Sequence, residues 1–236
     1  MDTIPSRAEE EGLAIPDRWF PADWGAAVWW STGLAFVVLA VAVTQEFTTR
    51  VDTAVTHAAV APRTAELTHV ALVLNWFGST TAVLVWAGSA AFTLDLHYRS
   101  SRRCRVRMVA VLLIDVAVVL AVKELGGRAR PPSDLWLARV KTHSFPSGHA
   151  TASTAAVSML LICLAALSSS RRPRSWAVLA GMLVVAAIDA SLVYLGVHYL
   201  SDVIGGTLLG CWLALSTAWI FDAVSRRRGR SVPPGG

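Results

Sequence analysis

Three short polar blocks carry residue types suited to phosphate chemistry. The first is Lys123 followed seven residues later by Arg130-Pro131. Lysine offers a point charge, and arginine a planar fork that matches phosphate oxygens. Taken singly, either side chain could equally snorkel toward lipid headgroups. The second block is Pro146-Ser147-Gly148-His149, which opens an apolar stretch rich in small residues. A Ser-Gly pair at a helix start leaves unpaired N–H groups at the positive end of the dipole, a ready anion site. His149 adds a group that exchanges protons near neutral pH. The third block runs from Ser191 to Asp202, with His198 four residues before Asp202. On one helical face the carboxylate can accept the Nδ1–H of the imidazole and leave Nε2 as nucleophile or base. Asp202 could also be only a helix cap.

The elements that must position these blocks are apolar. The chain is 54% hydrophobic and 16% charged, against about 25% charged in ordinary soluble proteins. The apolar residues fall in long runs, which predicts an all-α, polytopic membrane protein with six transmembrane helices in a bundle. The predicted spans are Ala27–Val43, Thr80–Leu96, Met108–Leu125, His149–Leu167, Trp176–Gly196 and Val203–Phe221. Trp24, Trp29 and Trp30 suit an interfacial belt at the start of the first span. Arg50 to Arg63 is too mixed to cross, and Leu67–Trp76 reads as a re-entrant or packing helix broken by Asn75 and Gly78. Residues 1–24 read as a polar cytoplasmic tail and not a cleaved signal peptide. Residues 25–222 form the membrane domain, and 223–236 a basic, disordered cytoplasmic tail.

Charge placement predicts sidedness. Basic clusters follow the second, fourth and sixth spans and hold twelve of the 21 basic residues. By the positive-inside rule those ends, and both termini, are cytoplasmic. The Gly126–Ser147 loop and the Gly196–Asp202 turn are then extracytoplasmic. Lys123, Arg128, Arg130, Arg139 and Lys141 lie on the side where topology does not call for them, and binding an anion accounts for them. The net charge of +5 comes from these short clusters between apolar runs, which argues against nucleic acid as a partner. Cys104, Cys163 and Cys211 lack metal-ligand spacing and read as free thiols.

Together the blocks K-x6-R-P, P-S-G-H and S-x6-H-x3-D, in this order, resemble the type 2 phosphatidic acid phosphatase superfamily, over about Val51 to Phe221. That group includes membrane lipid phosphatases and soluble vanadium-dependent haloperoxidases. The resemblance implies a phosphatase of the bacterial plasma membrane that acts on a lipid phosphomonoester or pyrophosphate, with no cofactor or metal. Phosphatidic acid, phosphatidylglycerol phosphate and polyprenyl pyrophosphate are its candidate substrates. It implies that Lys123, Arg130, Ser147 and Gly148 hold the phosphate, with Arg128 a further candidate. His198 would attack phosphorus to form a phosphohistidine, Asp202 would orient His198, and His149 would serve as acid and then base. These roles fit positioned donors for an equatorially charged transition state.

One position departs from the pattern. The third block normally begins Ser-Arg, and here Ser191 is followed by Leu192. Arg128, Arg139 and Lys141 are the loop cations available to replace that charge. The alternative reading is a weakened or inactive lipid-binding or transport-associated relative. Asp115 and Asp189, inside predicted spans, are candidates either for site support or for helix–helix hydrogen bonding. His143 is most simply a loop residue, and His57, His69 and His97 are structural.

Overall fold

The computed structural model describes residues 22–99, 102–168 and 171–230. Most of the predicted N-terminal tail, Ser169-Ser170 and Ser231–Gly236 therefore lie outside the described residues. Eight α-helices and no strands occur among them: α1 (Ala22–Thr44), α2 (Thr49–Val60), α3 (Ala65–Phe77), α4 (Thr80–His97), α5 (Arg103–Gly126), α6 (Gly148–Leu167), α7 (Arg171–Tyr194) and α8 (Leu200–Arg230).

At the centre of the bundle α6 packs along α8. Small residues make this possible. A Cβ on Gly206 would lie 2.7 Å from both Ala150 Cβ and Ser147 O, and one on Gly210 would meet Thr151 O and stand 3.0 Å from Ala155 N. Close backbone approach through small residues is how helices associate where lipid is as apolar as the core. The core around this pair includes Met108, Val111, Met159 and Leu209. On the outside, Leu34, Val37, Val38 and Val41 of α1 and Met182 and Leu183 of α7 are exposed. Apolar rows of this kind face hydrocarbon, not water.

The expectation of six spans is met only in part. Helices α1, α6, α7 and α8 are long and apolar enough to cross a membrane, and α3 with α4 makes a fifth candidate, bent by 65° at Gly78-Ser79. The Leu67–Trp76 stretch, read as a re-entrant or packing helix, falls in α3, the first half of this bent pair, which is a broken span or a re-entrant segment. Helix α5 carries Asp115, Lys123 and Glu124 within its apolar stretch. The inward-facing Asp115 and Lys123 are both buried, so its composition understates how well it suits the bundle.

Two arginines of the basic cluster after α4 have structural partners. Arg105 Nε lies 3.0 Å from Asp95, and Arg107 Nη2 lies 2.7 Å from Asp222 of α8, both residues buried. Trp29 is pinned to α8 through Ser216 Oγ at 2.7 Å, while Trp30 remains exposed.

We expect Gly210→Val to push α6 and α8 apart and to cost about 1–3 kcal/mol, in the range of core overpacking. A melting temperature in detergent equal to that of the unaltered protein would contradict this contact.

Candidate active site

The site forms where the Gly127–Ser147 loop meets the end of α7 and the starts of α6 and α8. Gly196 makes the turn after α7. Its φ of +72° suits glycine, and a Cβ there would strike the Leu135 carbonyl. The loop docks in that space: Leu137 N–H donates to Leu195 O at 3.0 Å. Arg63, from the α2–α3 connection, clamps both sides by donating to Leu135 O at 2.8 Å and Tyr194 O at 2.7 Å.

The turn delivers His198, 3% exposed, next to Asp202 in the first turn of α8. His198 Nδ1 lies 3.3 Å from Asp202 Oδ2, and Arg130 Nη1 lies 3.1 Å from His198 Nε2. Arginine is a donor only, so Nε2 must accept, and the proton belongs on Nδ1 toward Asp202. The neutral, Nδ1-protonated tautomer expected of a histidine nucleophile follows from this geometry. Burial pushes the His198 pKa down to about 4, with Arg130 and Lys123 adding to the shift and Asp202 opposing it.

Asp202 is fully buried and surrounded by donors. Its Oδ2 also accepts from Ser144 Oγ at 2.5 Å and Tyr199 N at 2.8 Å. Its Oδ1 accepts from Arg128 Nη1 at 2.5 Å. Arg128 Nη2 donates to Asp52 Oδ2 of α2 at 2.6 Å. The sequence-based suggestion that Arg128 faces phosphate thus meets a guanidinium held between two carboxylates. Arg130 differs. Its donors go to Val197 O at 2.5 Å and Thr142 O at 2.7 Å, both neutral carbonyls. Burial lowers its pKa, and Asp202 opposes that shift. Lys123 Nζ is bonded to His143 O and, at 3.3 Å, to Ser144 O.

Ser147 caps α6, its hydroxyl accepting from Ala150 N at 3.4 Å. Its own N–H donates to Asp202 O at 3.0 Å. Of the donors expected in the phosphate cradle, the Ser147 N–H is thus already bonded within the protein. His149 lies in the first turn of α6, beside the α3–α4 break, where a Cβ on Gly78 would be 3.6 Å from its ring. It stands within electrostatic reach of Arg130 and Lys123.

Other predicted residues fall outside this cluster. Leu192 is 1% exposed within an apolar group that includes Ile188, Ala150 and Leu195. Arg139 and Lys141 are exposed. Lys141 and His143 line, with Arg128, Arg130, Trp136 and Glu124, an opening of about 350 Å³. Asp189 accepts from Thr207 Oγ1 at 2.7 Å, a helix–helix hydrogen bond between α7 and α8. Asp115 is buried in α5, and one of its oxygens has no hydrogen-bond partner among the described residues. Sequence reading missed Asp52 and Ser144. Asp52 sits in a mixed segment with no motif, and its partners are 76 and 149 residues away. Ser144 lies just before the P-S-G-H block and is 0% exposed.

The depressed His198 pKa has a definite sign. A free imidazole charges near about pH 6.5, whereas the buried one stays neutral until about 4. Between these values the folded protein binds fewer protons than the unfolded chain, so stability falls as pH drops through that window. We expect 15N NMR of labelled histidine, assigned against His198→Gln, to show the neutral Nδ1–H form unchanged from pH 7 to pH 5. A protonated His198 at pH 5.5 would contradict the geometry.

Residues 105–226 match the model of the PAP2 superfamily. An undecaprenyl-diphosphatase from Sulfolobus acidocaldarius is 30% identical over 142 residues, covering 58% of this chain and 63% of the relative. The chain thus spans somewhat under two thirds of that relative's length. The crystal structure of a transmembrane PAP2-type phosphatidylglycerolphosphate phosphatase from Bacillus subtilis aligns with a TM-score of 0.75 and 25% identity, over 83% of this chain and 96% of that one. Aquifex aeolicus LpxE shares the fold, with a TM-score of 0.53 and 16% identity over 71% of this chain and 94% of that one. The family match covers all three polar blocks and the helices that carry them, and begins after α4; on it, this chain belongs to the PAP2 superfamily.

Proposed function

We propose that this protein is an integral membrane lipid phosphatase that cleaves a lipid phosphomonoester or pyrophosphate through a phosphohistidine on His198. The observation that carries this is the chain Asp202–His198–Arg130. The carboxylate holds the Nδ1 proton, and a cation stands at Nε2 where a phosphoryl group would arrive. Incoming phosphate would replace the neutral carbonyls now bonded to Arg130 and Lys123 and would meet the Ser147 hydroxyl and Gly148 N–H. Nε2 of His198 would attack phosphorus in line as the P–O bond to the leaving group breaks. His149 would give that oxygen a proton, then take one from the water that cleaves the phosphohistidine. Arg130 and Lys123 supply the positive charge that a divalent ion would otherwise bring.

The same reading sets the protein with residues 25–222 as its membrane domain, both termini cytoplasmic and the site on the opposite face. The support is the position of the basic clusters after the even-numbered predicted spans. Among substrates, a polyprenyl pyrophosphate has the support of the archaeal relative named above, and phosphatidylglycerol phosphate that of the Bacillus structure.

The buried, uncharged Leu192 favours a second reading, a lipid-binding relative with a weakened site. Purified protein in detergent micelles with each lipid phosphate separates the two. We expect phosphate release by the wild type to be unaffected by EDTA and blocked by vanadate, and His198→Ala to lower kcat by at least about 10³-fold, as for loss of a covalent nucleophile. If the wild type releases no more phosphate than His198→Ala from any of these lipids, the binding reading stands instead.

A further inference from the structure

We propose that Asp52 and Arg128 are positioning residues for the His198–Asp202 pair, and that Arg128 acts there and not on the phosphate. This rests on the phosphatase reading above. Asp52 belongs to α2, outside all three polar blocks, yet it is 1% exposed and both of its oxygens are bonded. Oδ1 accepts from the Ser201 N–H at 2.9 Å. Oδ2 accepts from Ser201 Oγ at 2.6 Å and from Arg128 Nη2 at 2.6 Å. Arg128 Nη1 then donates to Asp202 Oδ1 at 2.5 Å and to Ser201 Oγ at 2.7 Å. Its guanidinium lies over the Tyr199 ring, 4.6 Å from the centroid.

The planar fork is therefore shared between two buried carboxylates, and a ring covers one of its faces. A phosphate that recruited Arg128 would have to take the cation from both buried carboxylates, leaving each without its counter-charge. Arg130 and Lys123 face only neutral acceptors on the protein and can exchange them for a dianion without that penalty. The division of labour follows from these partners. Arg128 orients and steadies Asp202, Asp52 keeps Arg128 from turning toward the dianion, and Asp202 in turn orients His198. Asp52 also receives the first-turn N–H of Ser201, which ties α2 to the start of α8, where anions are favoured.

The test is kinetic. Asp52→Asn keeps the size of the side chain but removes its charge. We expect kcat to fall about 10–100-fold, the range for partners that orient a reacting group's ligand, with the Ki of inorganic phosphate as product inhibitor within about 3-fold of wild type. We also expect the double variant Asp52→Asn/Asp202→Asn to be no slower than Asp202→Asn alone, since residues acting as one unit are not additive. Arg128→Lys, which keeps a cation that cannot bridge, should show the same pattern and serves if Asp52→Asn cannot be purified. Wild-type kcat in these variants, a Ki for phosphate raised about tenfold or more, or losses that multiply in the double variant would each overturn the proposal. An inactive wild type would instead reject the phosphatase reading.

Discussion

A carboxylate with no exposed surface sits where the loop, α7 and α8 converge, and the site depends on keeping it paired. Taking an ion out of water costs several kcal/mol even after the protein relaxes, and removing one partner of a buried pair costs about 3–5 kcal/mol. Asp202 meets that demand with donors from separate parts of the chain: Arg128 and Ser144 of the loop, the Tyr199 N–H, and His198. Each donor brings its segment with it. Arg128 draws in α2 through Asp52, and Ser144 fixes the loop that carries Arg130. The Asp202 carbonyl accepts the Ser147 N–H and sets the start of α6 against the start of α8. The need to satisfy one buried charge thus gathers three polar blocks that lie up to about eighty residues apart in sequence.

The parts of this site that were legible in the sequence are those whose chemistry demands a residue type at a fixed local spacing. His198 and Asp202 meet because they are four residues apart at a helix start, and Ser147 caps α6 because a Ser-Gly pair does so. Asp52 and Ser144 were not legible for the opposite reason. Their partners are set by how α2 and the loop pack, and an aspartate in a mixed segment looks like any solvated one. Arg128 stood between these cases. Its charge and location suggest a phosphate contact, and in the structure its guanidinium bonds the Asp52 and Asp202 carboxylates.

The spans show a similar division. The apolar runs of α1, α6, α7 and α8 announce themselves. Counting six required α5 and a single helix at Thr80–Leu96. Helix α5 carries buried polar residues for the site and the bundle, and α4 qualifies only together with α3 across a bend. Helices α6 and α8 carry their site residues at their first turns and keep an apolar body, whereas α5 places Asp115 and Lys123 along its length and loses the uniform signature by which spans are recognised. The basic cluster after α4 likewise mixes roles, since Arg107 is buried on Asp222 and contributes to packing.

The charge balance gives Leu192 its meaning. Asp52 and Asp202 together offset Arg128 and one further positive charge, so of Lys123 and Arg130 only part of the charge is left over to oppose a phosphate dianion at long range. On the reading proposed above, close contact would change this, because both cations would exchange carbonyl partners for charged oxygens, and a charge-assisted hydrogen bond contributes about 1.5–3 kcal/mol. The apolar pocket around Leu192 offers no cation to strengthen that hold. Lys141 and His143 line the opening beside Arg130 and are exposed. They lie in solvent, where screening weakens them. On the proposed reading such a site would grip phosphate through few contacts, and the orientation of His198 by its buried partners would matter correspondingly more to the rate than the strength of binding.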